Sequence, residues 1–167
     1  MTSGVSTAAP AALLFATLGL LVACSDGTEA PPDDQWEVTV TGIETNCTEA
    51  TQGYQESFRY MLYNDGSATE LRIEGPDGKP ESFASGIRSG CRLNYESAVW
   101  LEDRAGGLLR WQLKGSAAYQ TNVGGCDIED GYDWVGTETI TVVDSEDEAV
   151  PVGCTYEMEV TGTYVQP

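Results

Sequence analysis

The sequence predicts an all-β domain, an antiparallel meander of about eight strands. Three observations carry this. Apolar and polar residues alternate with a period of two in most segments after residue 35. Glycine-containing turn sequences separate those segments. No 3.6-residue period is sustained beyond the first 23 residues.

Taken in order, the first strand is expected at 36–43, where Trp36, Val38 and Val40 alternate with Glu37, Thr39 and Thr41. Strands at 55–64 and 69–75 flank Asn64-Asp65-Gly66, a hairpin signal, and Pro76-Asp77-Gly78 ends the second of them. The weakest pattern lies at 81–88. A fifth strand, 92–102, puts Leu93, Tyr95, Val99 and Leu101 on one face, leaving Trp100 on the other. The sixth, 107–119, sets Leu109, Trp111 and Leu113 against Arg110, Gln112 and Lys114. The seventh, 132–143, carries Trp134, Ile140 and Val142 opposite Thr137, Thr139 and Thr141. The last, 152–165, alternates Cys154, Tyr156, Met158, Val160 and Tyr164 with Thr and Glu. Short connections without crossover helices favour sequential antiparallel pairing. Closure into an up-and-down barrel removes the edge strands; a β-sandwich is the alternative.

Five cysteines punctuate the chain. Counting strands alternately up and down puts Cys47 and Cys154 at one end of a barrel, on neighbouring strands. The same count puts Cys91 and Cys126 at the other end. Two disulfides, Cys47–Cys154 and Cys91–Cys126, are therefore expected. Cys24 is left over.

Cys24 closes an uncharged segment, residues 1–23, whose stretch from Ala11 to Ala23 is almost continuously apolar. That length suits a secretory signal and is too short to span a bilayer. The junction reads Leu21-Val22-Ala23-Cys24. This motif resembles the lipobox of bacterial lipoproteins, although the segment before it lacks the family's usual Lys or Arg. The resemblance implies cleavage before Cys24, lipid attachment to its sulfur and a membrane partner through that anchor. With Ser25 after the cysteine and Asp26 one place later, it favours the outer membrane of the cell envelope. Several acyl chains on one residue anchor firmly where one chain does not. Residues 24–35 then read as an acidic, Pro-containing tether, and 36–167 as a single β domain.

The net charge is −19, with 27 acidic residues against eight basic ones. So few cations argue against nucleic acid as a partner and against electrostatic docking on anionic lipid. There is no histidine, which excludes a Ser-His-Asp or Cys-His arrangement and the commonest metal ligand. Cysteines held in disulfides leave no thiolate nucleophile. Asp127, Glu129, Asp130 and Asp133 crowd around Gly131, but the EF-hand spacing and its distant Glu are absent. A solvated loop is the simpler reading; a calcium-binding or carboxylate-dependent enzyme is the third alternative. No cofactor is expected.

The aromatic residues are more informative. Trp36, Trp111, Trp134 and Tyr156 face the interior, either as core filling or as the lining of a calycin-like pocket at a barrel mouth. The outward Trp100 suggests a contact patch on a protein partner, or a register one residue out of step. The expected function is a non-catalytic, membrane-anchored domain that binds or has a structural part in the envelope. The alternative is a carrier of a small hydrophobic ligand.

Overall fold

The computed structural model describes residues 31–47, 54–104, 106–128 and 131–166. Ten strands follow one another: β1 (Asp34–Thr45), β2 (Gln55–Asp65), β3 (Ala68–Glu74), β4 (Pro80–Ser89), β5 (Arg92–Glu96), β6 (Trp100–Arg104), β7 (Gly107–Thr121), β8 (Gly124–Gly125), β9 (Trp134–Ser145) and β10 (Thr155–Val165). All pairings are antiparallel. Eight strands form a closed circuit in the order β1-β2-β3-β4-β5-β7-β9-β10. Pairing of β10 with β1, from Gln35↔Val165 to Thr45↔Tyr156, closes it. The domain is an up-and-down barrel, so the ring closes without the two full edge strands of an open sheet.

The sheet starts within the stretch read as tether. The Asp33 amide donates to the Leu62 carbonyl at 2.8 Å, and the Asn64 amide donates to Asp33 Oδ2 at 2.7 Å. Alternation then works as the residue types require. Trp36, Val38 and Val40 are buried, while Glu37 is exposed. The Asp65↔Ala68 pair closes the first hairpin. Ser89↔Arg92 closes another, with Gly90 at a φ of 62°, a value that favours glycine. That turn fixes Cys91 at what we call the lower end. Cys91 is bonded to Cys126 there, with Cα atoms 5.3 Å apart. At the upper end Cys47 is bonded to Cys154, Cα atoms 5.1 Å apart. Both separations suit unforced bridging.

The segment 92–102 departs from a single continuous strand. Leu93, Tyr95 and Ser97 are buried; Ala98 and Val99 are both exposed; Trp100 turns back inside. Two consecutive outward residues shift the phase by one. Val99 and Leu101 therefore face solvent, at 51% and 62% exposure, and Trp100 faces the interior. The expected outward Trp100 is corrected by this break. Ser97 holds it: its backbone amide donates to the Leu113 carbonyl, and its Oγ accepts the Leu113 amide, both at 2.9 Å. Below the break β5 pairs with both β4 and β7. Above it β6 pairs with β7 alone, so the barrel wall is open between β6 and the first half of β4.

The lower half of the barrel is filled. Trp36 and Trp134 have no exposure, and their ring centroids lie 5.1 Å apart. Tyr119 contacts Trp36 edge-on at 5.3 Å and stacks on Trp134 at 5.9 Å. Trp36 Nε1 donates to the Gln120 carbonyl at 2.9 Å, satisfying a donor that burial would otherwise strand. A smaller cluster sits at the upper end. Val150, on the β9–β10 connection, is fully buried there with Leu109, Val142 and the Cys47–Cys154 bridge.

Candidate functional site

Between these two packed regions the barrel is hollow. A cavity of about 310 Å³ lies in its upper half. That is at the small end of the range of ligand pockets, about 300–1,000 Å³. Each wall comes from an inward position of a different strand. Tyr60 and Phe58 stand on β2, Phe83 on β4, Trp100 on β6, Trp111 on β7, Ile140 on β9 and Tyr156 on β10. Trp100 meets Trp111 edge to face at 4.2 Å and lies 5.2 Å from Phe83. The Phe83–Trp100 contact spans the opening between β4 and β6, so two rings close the wall where backbone pairing stops. At the rim, Arg104 Nε donates to Glu102 at 2.9 Å. Tyr54, 44% exposed, marks where the cavity reaches the surface. Its hydroxyl donates to Glu56, and burial followed by that hydrogen bond pushes the phenol up to about 12.

The floor holds a carboxylate. Glu138 is 2% exposed and is the lowest residue of β9 to line the cavity. It occupies an inward position between Trp134 and Ile140. Both the Tyr60 hydroxyl, at 2.7 Å, and the Tyr95 hydroxyl, at 2.6 Å, donate to its Oε1. Among the described residues nothing donates to Oε2. Burial raises the Glu138 carboxyl above the ordinary glutamate range, and the two phenols partly oppose that shift. Burial, then the charge of Glu138, holds both phenols well above their usual value.

Backbone register builds this floor. Tyr95 on β5 is directly opposite Gly115 on β7, which is directly opposite Glu138 on β9. A Cβ on Gly115 would clash with the Tyr95 ring at its Cζ and Cε2. Glycine there lets the ring lie across β7 and bring its hydroxyl to the carboxylate two strands away.

The residues expected from the sequence divide between the regions. Trp36 and Trp134 belong to the lower plug; Trp111 and Tyr156 line the cavity. Asp133 Oδ2 accepts the Tyr164 amide at 2.8 Å, Asp127 is exposed, and Glu129 and Asp130 lie outside the described residues. Among the described residues no group of three or more His, Cys, Asp or Glu is placed to hold a metal ion. Cys24 also lies outside the described residues.

Glu138 escaped the sequence reading, although its parity with Trp134, Ile140 and Val142 was visible. A charge in an apolar phase is the available signal for such a residue. The arrangement suits noncovalent binding: aromatic walls to desolvate a small apolar body, and one polar group to orient it. No family model, no curated protein and no solved structure matches the chain.

Proposed function

We propose that the protein is a bacterial lipoprotein whose β-barrel domain binds a small, largely apolar ligand without catalysing a reaction. The observation that carries this is the contrast between the two halves of one barrel. The lower half is packed with aromatic rings. The upper half, walled by residues of the same kind, keeps a cavity of about 310 Å³. Packing alone would favour filling it, since cavities cost stability roughly in proportion to their volume. Retaining the space fits binding better than scaffolding. The lack of histidine and the two disulfides support a non-catalytic role. The Leu21-Val22-Ala23-Cys24 motif supports anchoring at Cys24, and Ser25 favours the outer membrane.

Two experiments test the two parts. Expressed with export in a bacterial host, the chain is expected in the detergent phase, and Cys24→Ser is expected to remove the lipid mass. A Cys24→Ser chain that partitions like the parent would contradict the anchor. Organic extraction of the purified chain, followed by mass spectrometry, is expected to release an apolar compound from the parent. It should release less from Ile140→Trp, whose larger ring narrows the cavity. Equal recovery from both would contradict the binding site.

A further inference from the structure

We propose that the cavity selects apolar amines, a protonated amino group resting on Glu138 Oε2 and the hydrocarbon body lying among Trp100, Trp111 and Phe83. This rests on reading the cavity as a ligand site and names the class of ligand it takes.

A buried carboxylate requires hydrogen-bond donors or an opposite charge. Three polar or charged residues are fully buried among the described ones: Thr69, Ser97 and Glu138. Thr69 donates to Asn64 Oδ1 at 2.9 Å, and Ser97 Oγ serves the Leu113 amide. Both have their partners within the fold. Glu138 is only half served. The two phenols occupy Oε1, and among the described residues nothing donates to Oε2. Among the described residues Trp134 Nε1 is sealed without a partner, but Glu138 Oε2 is not sealed in this way: its residue lines the cavity. Among the described residues no Lys or Arg is ion-paired to Glu138. A carboxylate so placed is costly unless a donor, best a cationic one, meets it. Such a donor reaches Glu138 through the cavity that the residue lines.

The phenols specify more than polarity. Both donate, so they hold Glu138 as an acceptor and favour its charged form. A ligand carboxylate would face that acceptor and be repelled. The walls suit the opposite sign, because aromatic faces attract cations, most strongly after desolvation. At the rim Arg104 is engaged with Glu102, and a chain of net charge −19 concentrates cations around it. An apolar ammonium answers the floor, the walls and the surrounding field together. A neutral hydrocarbon answers only the walls.

The test compares three probes that share one apolar body: phenethylamine, phenethyl alcohol and hydrocinnamate. Each is titrated into the exported full chain at neutral pH, followed by calorimetry and tryptophan emission. The amine is expected to bind roughly ten- to a hundredfold more tightly than the alcohol, with hydrocinnamate weakest. Glu138→Gln keeps an acceptor oxygen for both phenols and is expected to erase the preference while still binding the alcohol. Glu157→Gln, exposed on β10 and away from the cavity, is expected to keep it. Equal affinity for amine and alcohol overturns the amine assignment and leaves the cavity as a binding site. Tightest binding of hydrocinnamate overturns it and moves the ligand's head group to Arg104. Loss of the preference in Glu157→Gln overturns it by making the preference an effect of net charge alone. Failure of all three probes to bind overturns it together with the reading of the cavity as a site. The parent comparison needs no variant to fold.

Discussion

Glu138 gives the barrel a pH dependence of known sign. Burial keeps its carboxyl above the ordinary range in the folded state, whereas in the unfolded chain it titrates near its usual value. Between those two values the folded state holds a proton that the unfolded state has released. Stability therefore falls as pH rises through that window, and the loss is complete above the folded value. Glu138→Gln removes the charge and keeps an acceptor for Tyr60 and Tyr95. Its melting temperature is expected to exceed the parent's at about pH 8 and to converge on it toward about pH 4. Thermal unfolding of both chains across that range checks this; a gap that widens in acid would contradict it. Gly115 is the second telling residue. Gly115→Ala places a methyl group where the Tyr95 ring lies. Urea unfolding is expected to show a loss of about 1–3 kcal/mol, the usual cost of overpacking. An unchanged midpoint would mean that Tyr95 does not need the space.

At the scale of the strand, the interruption between β5 and β6 decides which side chains face the cavity. Trp100→Ala, which removes a ring packed on Trp111 and Phe83, is expected to cost about 2–4 kcal/mol. Leu101→Ala, one residue along and 62% exposed, is expected to change stability by less than about 0.5 kcal/mol. Urea midpoints of the two variants check the phase of this strand directly, and the reverse order would restore the uninterrupted register. The same strand shows where sequence reading reaches its limit. Period-two patterning locates β1, β7, β9 and β10 because each keeps one phase over most of its length; the irregularities of β1 and β9 lie near their upper ends, at Gly42–Glu44 and Val142–Asp144. It carries the phase of Leu93 and Tyr95 straight through to Leu101, since nothing in Ser97-Ala98-Val99 announces an extra outward residue. Only the tryptophan in the polar phase hints at the shift. Glu138 was obscure for the converse reason: a carboxylate is read as outward, and its burial depends on two tyrosines from strands distant in sequence. The hollow itself was open in the sequence, because the aromatic residues that fill the lower half and those that line the upper half are of the same kind.

For the molecule as a whole, closure of the barrel and the two disulfides act on the same ends. Cys47–Cys154 spans 107 residues of sequence and Cys91–Cys126 spans 35. The longer bridge restrains the unfolded chain more. Replacing both cysteines of the first pair by alanine is expected to cost about 1 kcal/mol more than doing so for the second. Chemical denaturation of the two double variants checks the order, and a larger loss from the Cys91–Cys126 pair would contradict it. The two ends also differ in purpose. The lower one seals an aromatic plug, while the upper one, with Val150 and the β9–β10 connection, frames a cavity that ends on Glu138.

The claim on which the rest depends is that the upper half of the barrel is a binding site and not a packing defect. Native mass spectrometry of the exported chain in detergent, with phenethyl alcohol or phenethylamine added, measures this most directly. One bound probe per chain is predicted for the parent, and a smaller bound fraction for Ile140→Trp, whose ring narrows the cavity, with the variant's melting temperature preserved or raised because the ring occupies existing space. A parent that stays bare with either probe, or an Ile140→Trp chain that binds as the parent does, would contradict the account.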